Sequence, residues 1–211
     1  MTRACDFSLY LITDLNVLPP GRSLPEAVRE ALIGGVKCVQ LREKELAPKT
    51  LFPLAMELRN LTREYGAKLF INDRADLALA CDADGVHLTT NSLPTTVVRE
   101  ILGPDKLIGV STHSPEEISR AQEEGADFVT FGPIFFTASK AAYGPPVGLQ
   151  KLREACSRTG LPVFALGGIK LGLVDDVMAS GASGVALISA ILGFDDARGK
   201  SRQFIEQLSK R

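Results

Sequence analysis

Gln40, Arg42 and Lys44 alternate along the chain, with Glu43 and Glu45 between the cations. On a strand, this spacing puts all three on one face. Two cations turned toward an interior are costly without an anion. Either Glu43, Glu45 or Asp73 pairs with them as a structural network, or a ligand anion does; Lys140 and a set of glycines favour the ligand. Asn72 and Asp73 close another short apolar run. A carboxylate beside an amide suits Mg2+ held together with a diphosphate, and Asp73 would equally serve as the N-cap of the helix after it. Thr137, Ser139 and Lys140 follow one another in a Gly-rich loop, where hydroxyls ahead of a lysine suit a phosphate or diphosphate. Gly167-Gly168 fits a second phosphate held by backbone N–H groups, together with residues 184–189 around Ser189; a tight turn alone also explains the glycines. Of the two histidines, His87 lies inside an apolar run and reads as a satisfied core residue. His113 follows Ser111 and Thr112 at a run's end, where it could carry protons near neutral pH or simply precede a helix.

These residues recur at equivalent places in a regular alternation. β-rich runs cover 8–13, 38–42, 68–72, 85–88, 107–111, 128–132, 163–167 and 184–189. Between and after them, helical spacing covers 24–33, 50–65, 73–80, 94–102, 115–124, 149–157, 173–180 and 197–208. Ser23 and Ser114 have the form of N-caps with proline close behind, and Gly34, Gly66, Gly125 and Gly181 have the form of stops. Strands alternating with helices predict a parallel α/β sheet. Eight such units predict a single (β/α)8 TIM barrel over residues 1–211, whose active site belongs at the C-terminal ends of the strands. An open doubly wound sheet is the competing architecture, weakened by the lack of G-x-G-x-x-G after the first run. The polar residues above are the ones at those strand ends.

The composition agrees with a globular chain. Among 211 residues, 24 Lys and Arg face 25 Asp and Glu, and 45% are hydrophobic, which excludes long disorder. A net charge of −1 with no basic block argues against a nucleic-acid partner. No apolar run is long enough to span a bilayer, and residues 1–6 lack a signal peptide's apolar core, so a cytoplasmic location is expected. Cys5, Cys38, Cys81 and Cys156 show neither C-x-x-C nor zinc-finger spacing and read as reduced, mostly buried small hydrophobes. A homo-oligomer is compatible with the chain.

Taken in order, YLITD at 10–14, VQLREK at 39–44, IND at 71–73, DGVHL at 84–88, GVSTH at 109–113, GPIFFTASK at 132–140, GGI at 167–169 and ISAI at 188–191 resemble the thiamine-phosphate synthase family over nearly the whole chain. The resemblance implies a transferase of thiamine biosynthesis. Hydroxymethylpyrimidine diphosphate loses diphosphate with the help of Mg2+, and the pyrimidine cation is captured by the ring nitrogen of a thiazole phosphate. It further implies that Gln40, Arg42, Lys44 and Asn72 hold the pyrimidine diphosphate, that Asp73 binds Mg2+, that Ser111 contacts the pyrimidine and that Lys140 meets the diphosphate. Thr137, Ser139, Gly168, Ile188 and Ser189 would hold the thiazole phosphate; Arg42, Ser111 and Lys140 would be the catalytic groups. One departure stands out. The family pattern carries a second metal-binding Asp where this chain has Ser92. A sister family, the thiazole tautomerases, resembles the synthases and lacks the full metal site; its proton carrier aligns with His113. A non-catalytic binder of the same precursors is a third alternative.

Overall fold

The computed structural model describes residues 5–137 and 145–210. Eight strands form a closed parallel barrel: β1 Leu9–Ile12, β2 Cys38–Leu41, β3 Lys68–Asn72, β4 Gly85–Leu88, β5 Leu107–Thr112, β6 Phe128–Phe131, β7 Val163–Leu166 and β8 Gly184–Leu187. Each pairs with its sequence neighbour, and β8 returns to β1 through Leu9↔Val185 and Leu11↔Leu187. Helices α1 Leu24–Ile33, α2 Pro48–Glu64, α3 Ala75–Ala80, α4 Thr95–Leu102, α5 Pro115–Glu123, α6 Gly148–Ser157 and α7 Val174–Ala179 follow the first seven strands. After β8 come the short α8, Ser189–Leu192, and α9, Ala197–Leu208. This is the (β/α)8 TIM barrel that the alternation predicts. No helix among the described residues is long and apolar enough to cross a membrane.

Local chemistry explains the sharpest boundaries. Ser23 and Glu26 form a reciprocal capping box at the head of α1, with Pro25 in the first turn. The Ser114 hydroxyl accepts from the Glu117 N–H and opens α5. Three expectations change. Strand β2 stops at Leu41, so Arg42 and Lys44 do not share a strand face with Gln40. Helix α3 starts at Ala75 with Arg74 at its N-cap and no side-chain cap bond, so Asp73 is not the cap. Strand β8 ends at Leu187, and Ser189 begins α8 rather than ending a strand.

The core has two parts. Leu, Ile, Val and Ala side chains pack between the sheet and the helices. A second cluster fills the barrel itself: Phe7, Tyr10, Ile12, Cys38, Phe70, Leu107, Phe128, Phe164 and Ala186. Period-two alternation delivers these from successive strands. Their rings meet mainly edge to face, as the ring quadrupole favours; Phe70 and Phe128 lie 5.3 Å apart at 88°. This aromatic packing forms the floor on which the polar mouth rests.

Candidate active site

The ends of β1 and β2 are tied together. The Arg42 N–H donates to Thr13 Oγ1 at 2.9 Å. Glu43 Oε2 accepts the Leu15 N–H at 3.1 Å, beside the Thr13 hydroxyl. Burial raises the Glu43 pKa, outweighing those hydrogen bonds and the nearby Arg42. One oxygen of Glu43 is therefore held by the backbone after β1, and the other, Oε1, is buried without a hydrogen-bond partner among the described residues. Arg42 is half-buried and Lys44 exposed, and neither makes an ion pair among the described residues. Among the described residues, the ion-pair network that could have consumed these cations is not made.

The register Leu41↔Ile71 places Arg42 level with Asn72 at the ends of β2 and β3. The Asn72 Oδ1 atom is buried without a hydrogen-bond partner among the described residues. A buried amide oxygen left unpaired is rare enough to point to a missing donor or cation. Asp73 follows in the left-handed region, φ 66°, with its N–H donating to the His87 carbonyl at 2.9 Å. Its carboxylate is exposed, and no hydrogen bond or ion pair engages it among the described residues. Oxygen donors of this kind suit a hard cation. No group of three or more His, Cys, Asp or Glu side chains among the described residues could hold a metal unaided.

Below this rim, polar groups replace the aromatic floor. Gln40 is 1% exposed and its Nε2 donates to the Tyr10 hydroxyl at 2.9 Å. Tyr10 lies 3.4 Å from His87 Nδ1, and His87 Nε2 lies 3.0 Å from Ser111 Oγ. His87 is buried, as expected of a core residue, and is also bonded to a site residue. Burial, with Arg42 adding to it, lowers its pKa to about 3 and keeps the ring neutral. Ser111 and Thr112 line a cavity of about 280 Å3 together with Thr89, Ser92, Glu117 and Arg120. Ser92 Oγ accepts from the Thr89 N–H at 2.7 Å and so closes the turn after β4. His113 lies beyond β5, where Glu117 Oε2 accepts its N–H at 2.7 Å and sits 3.2 Å from its Nδ1.

A larger cavity, about 760 Å3, opens at the ends of β7 and β8. Thr137, Gly168, Ile188 and Ser189 line it, with Phe136 and Lys200 beside them. Gly168 has φ +66°, and a Cβ there would meet the Phe136 carbonyl at 2.6 Å, so the loops after β6 and β7 meet only over a glycine. The helix start at Ser189, absent from the sequence reading, brings backbone N–H groups to the same cavity. Ser139 and Lys140 lie outside the described residues. The sequence reading missed Thr13, Tyr10 and Glu43 as positioning groups. Tyr10 and Thr13 both belong to the YLITD motif, the one signal that could have found them, though their spacing of three puts them on opposite faces of the strand line.

Known proteins are similar to this chain over nearly its whole length. The thiamine monophosphate synthase family model matches residues 9–191. A Geobacter sulfurreducens protein is 52% identical, covering 98% of this chain and 96% of its own length. The thiamine-phosphate synthase of Clostridium novyi is 43% identical over 93% of this chain and 96% of that protein. The solved thiamine phosphate pyrophosphorylase from Pyrococcus furiosus superposes with a TM-score of 0.88 at 37% identity, covering 97% of this chain and 96% of that one. With the barrel, the cationic rim and the glycine-lined cavity in place, the chain belongs to the thiamine monophosphate synthase family.

Proposed function

We infer that this protein is a thiamine-phosphate synthase, a transferase that joins hydroxymethylpyrimidine diphosphate to thiazole phosphate. The observation that carries the reading is the buried Asn72 amide oxygen and the Asp73 carboxylate, neither hydrogen-bonded among the described residues, level with a cation, Arg42, that makes no ion pair among them. An anion with a hard cation on it satisfies all three at once. The separate cavity at Gly168, Ile188 and Ser189 suits a second, smaller phosphate ester.

The reaction breaks the bond between the pyrimidine methylene carbon and the diphosphate oxygen, which leaves with the electron pair. The thiazole ring nitrogen then supplies the pair for the new C–N bond. The barrier is charge separation, so fixed cations near the leaving group lower it. Arg42, Lys44 and Lys140 are assigned to the diphosphate, Gln40 and Asn72 to the pyrimidine diphosphate as well, and Ser111 to the pyrimidine ring. Thr137, Ser139, Gly168, Ile188 and Ser189 are assigned to the thiazole phosphate. Mg2+ would be held by Asp73, the substrate phosphates and water, and when bound it would neutralise charge on the departing diphosphate.

The test is thiamine phosphate formation by the purified protein from both substrates, with Mg2+ titrated from micromolar to tens of millimolar. Mg2+-dependent product is expected. No product at any Mg2+ level from folded protein would overturn the reading and leave the tautomerase alternative, in which His113→Asn abolishes isomerisation. Binding of the pyrimidine diphosphate without turnover would leave the binder.

A further inference from the structure

A file of polar side chains runs beneath the mouth, from Gln40 through Tyr10 and His87 to Ser111, and the assignments above use only its two ends. The directions of its hydrogen bonds can be worked out. Tyr10 is fully buried, so its hydroxyl must find both a donor and an acceptor inside the protein. Gln40 Nε2 donates to it at 2.9 Å. The phenolic hydrogen is left with His87 Nδ1, 3.4 Å away. In a neutral imidazole one nitrogen accepts and the other donates. Nδ1 accepts, so the ring proton is on Nε2, facing Ser111 Oγ at 3.0 Å with Thr130 Oγ1 at 3.4 Å. A serine oxygen that receives this N–H keeps its own hydrogen for another acceptor. The ring's seat is also fixed from below: a Cβ on Gly109 would come within 2.6 Å of His87 Nδ1, so only glycine leaves room for it.

We propose that His87 is a positioning residue: backed by Tyr10 and Gln40, its Nε2–H fixes the Ser111 hydroxyl as a hydrogen-bond donor toward a ring nitrogen of the pyrimidine substrate. This rests on the synthase reading, because it takes Ser111 as the pyrimidine contact. A pyrimidine ring nitrogen is an acceptor without a proton, so a serine that always offers its hydrogen matches it, whereas a freely rotating hydroxyl would match it only part of the time.

Two measurements test the proposal. The first is the Michaelis constant for each substrate in wild type, His87→Phe, His87→Gln, Ser111→Ala and the double variant His87→Phe/Ser111→Ala. His87→Phe should raise KM for the pyrimidine diphosphate about tenfold and leave KM for the thiazole phosphate within about twofold, His87→Gln should recover most of the loss through its amide N–H, and the double variant should be no worse than Ser111→Ala. Losses that multiply in the double variant, or a rise in KM for both substrates together, would overturn it. The second measurement covers variants that fail to fold. With only two histidines in the chain, 15N-histidine labelling resolves each imidazole. His87 should show the Nε2–H tautomer at neutral pH, and Tyr10→Phe, which removes one hydroxyl, should shift it. An Nδ1–H tautomer in the wild type would overturn the inference alone. Wild-type protein that neither turns over nor binds the pyrimidine diphosphate would overturn the synthase reading and this inference with it.

Discussion

The resemblance read from the sequence puts Ser92 where a second metal-binding carboxylate is expected, and its hydroxyl is spent on closing the turn after β4 through the Thr89 N–H. An aspartate can accept the same N–H, so Ser92→Asp should keep the turn and add a carboxylate at the end of β4. The expected result is a several-fold lower Mg2+ concentration at half-maximal rate; an unchanged Mg2+ titration would show that position 92 does not face the metal. Lys140→Ala should cut turnover at least about tenfold, or about 1.4 kcal/mol of transition-state stabilisation, and wild-type turnover would remove Lys140 from the diphosphate. His87 makes a different prediction, about stability. Its ring protonates near 6.5 when unfolded and at about 3 when folded. The unfolded chain therefore binds a proton that the folded one refuses, and stability falls as pH drops from 6.5 toward 3. Wild type should lose about 2 kcal/mol more than His87→Gln between pH 7 and pH 5, by the slope of about 1.4 kcal/mol per pH unit below 6.5. Urea unfolding at the two pH values measures it; equal losses would mean that His87 titrates normally in the fold.

Elements carry the next layer, and they were legible in the sequence where a local signal fixed both ends. Helix α1 runs over residues 24–33 as read, because Ser23, Pro25 and Gly34 each act within one turn. Strands β3 and β4 also match, being short apolar runs bounded by Asn72-Asp73 and by Gly85. Helix α8 was not legible: its four residues are too few to show a helical period. The face shared by Gln40, Arg42 and Lys44 failed because alternation holds only while the strand lasts, and β2 ends one residue before Arg42. The bond between His87 and Ser111 joins neighbouring parallel strands across 24 residues, a distance at which sequence spacing carries no signal. Gly109, in β5, shows what the sequence hid. A Cβ there would meet Phe128 Cζ at 2.3 Å and His87 Nδ1 at 2.6 Å, so the aromatic floor and the polar file both depend on its missing side chain. Gly109→Ala should cost about 1–3 kcal/mol by overpacking and should raise KM for the pyrimidine diphosphate as the imidazole is displaced. A wild-type urea midpoint and KM would mean that the Phe128 ring yields without moving His87.

Across the whole molecule, the strand ends divide the mouth into two sectors. Arg42, Asn72 and Asp73 stand at β2 and β3, and the glycine-lined cavity stands at β7 and β8, with β1 between them. The floor beneath both is one packed aromatic cluster, which holds the two sectors in fixed relation. A reaction that joins two phosphorylated molecules benefits from this separation, because the two anionic ends stay apart. The separation also makes the sectors distinguishable by linkage. A ligand that binds only the folded protein stabilises it by about 2.7 kcal/mol at a hundredfold excess over its Kd, which for a chain of this size raises Tm by roughly 5–10 °C. The thiazole phosphate should do so equally in EDTA and in Mg2+, because its sector offers backbone N–H groups and no carboxylate among the described lining residues. The pyrimidine diphosphate should raise Tm strongly in Mg2+ and weakly in EDTA, because Asp73 repels the diphosphate unless a cation lies between them. Thermal unfolding of the protein with each ligand, with and without EDTA, reads both effects. Equal Mg2+ dependence for the two ligands would mean that the mouth is a single electrostatic site, and the assignment of Asp73 to one substrate alone would fall with it.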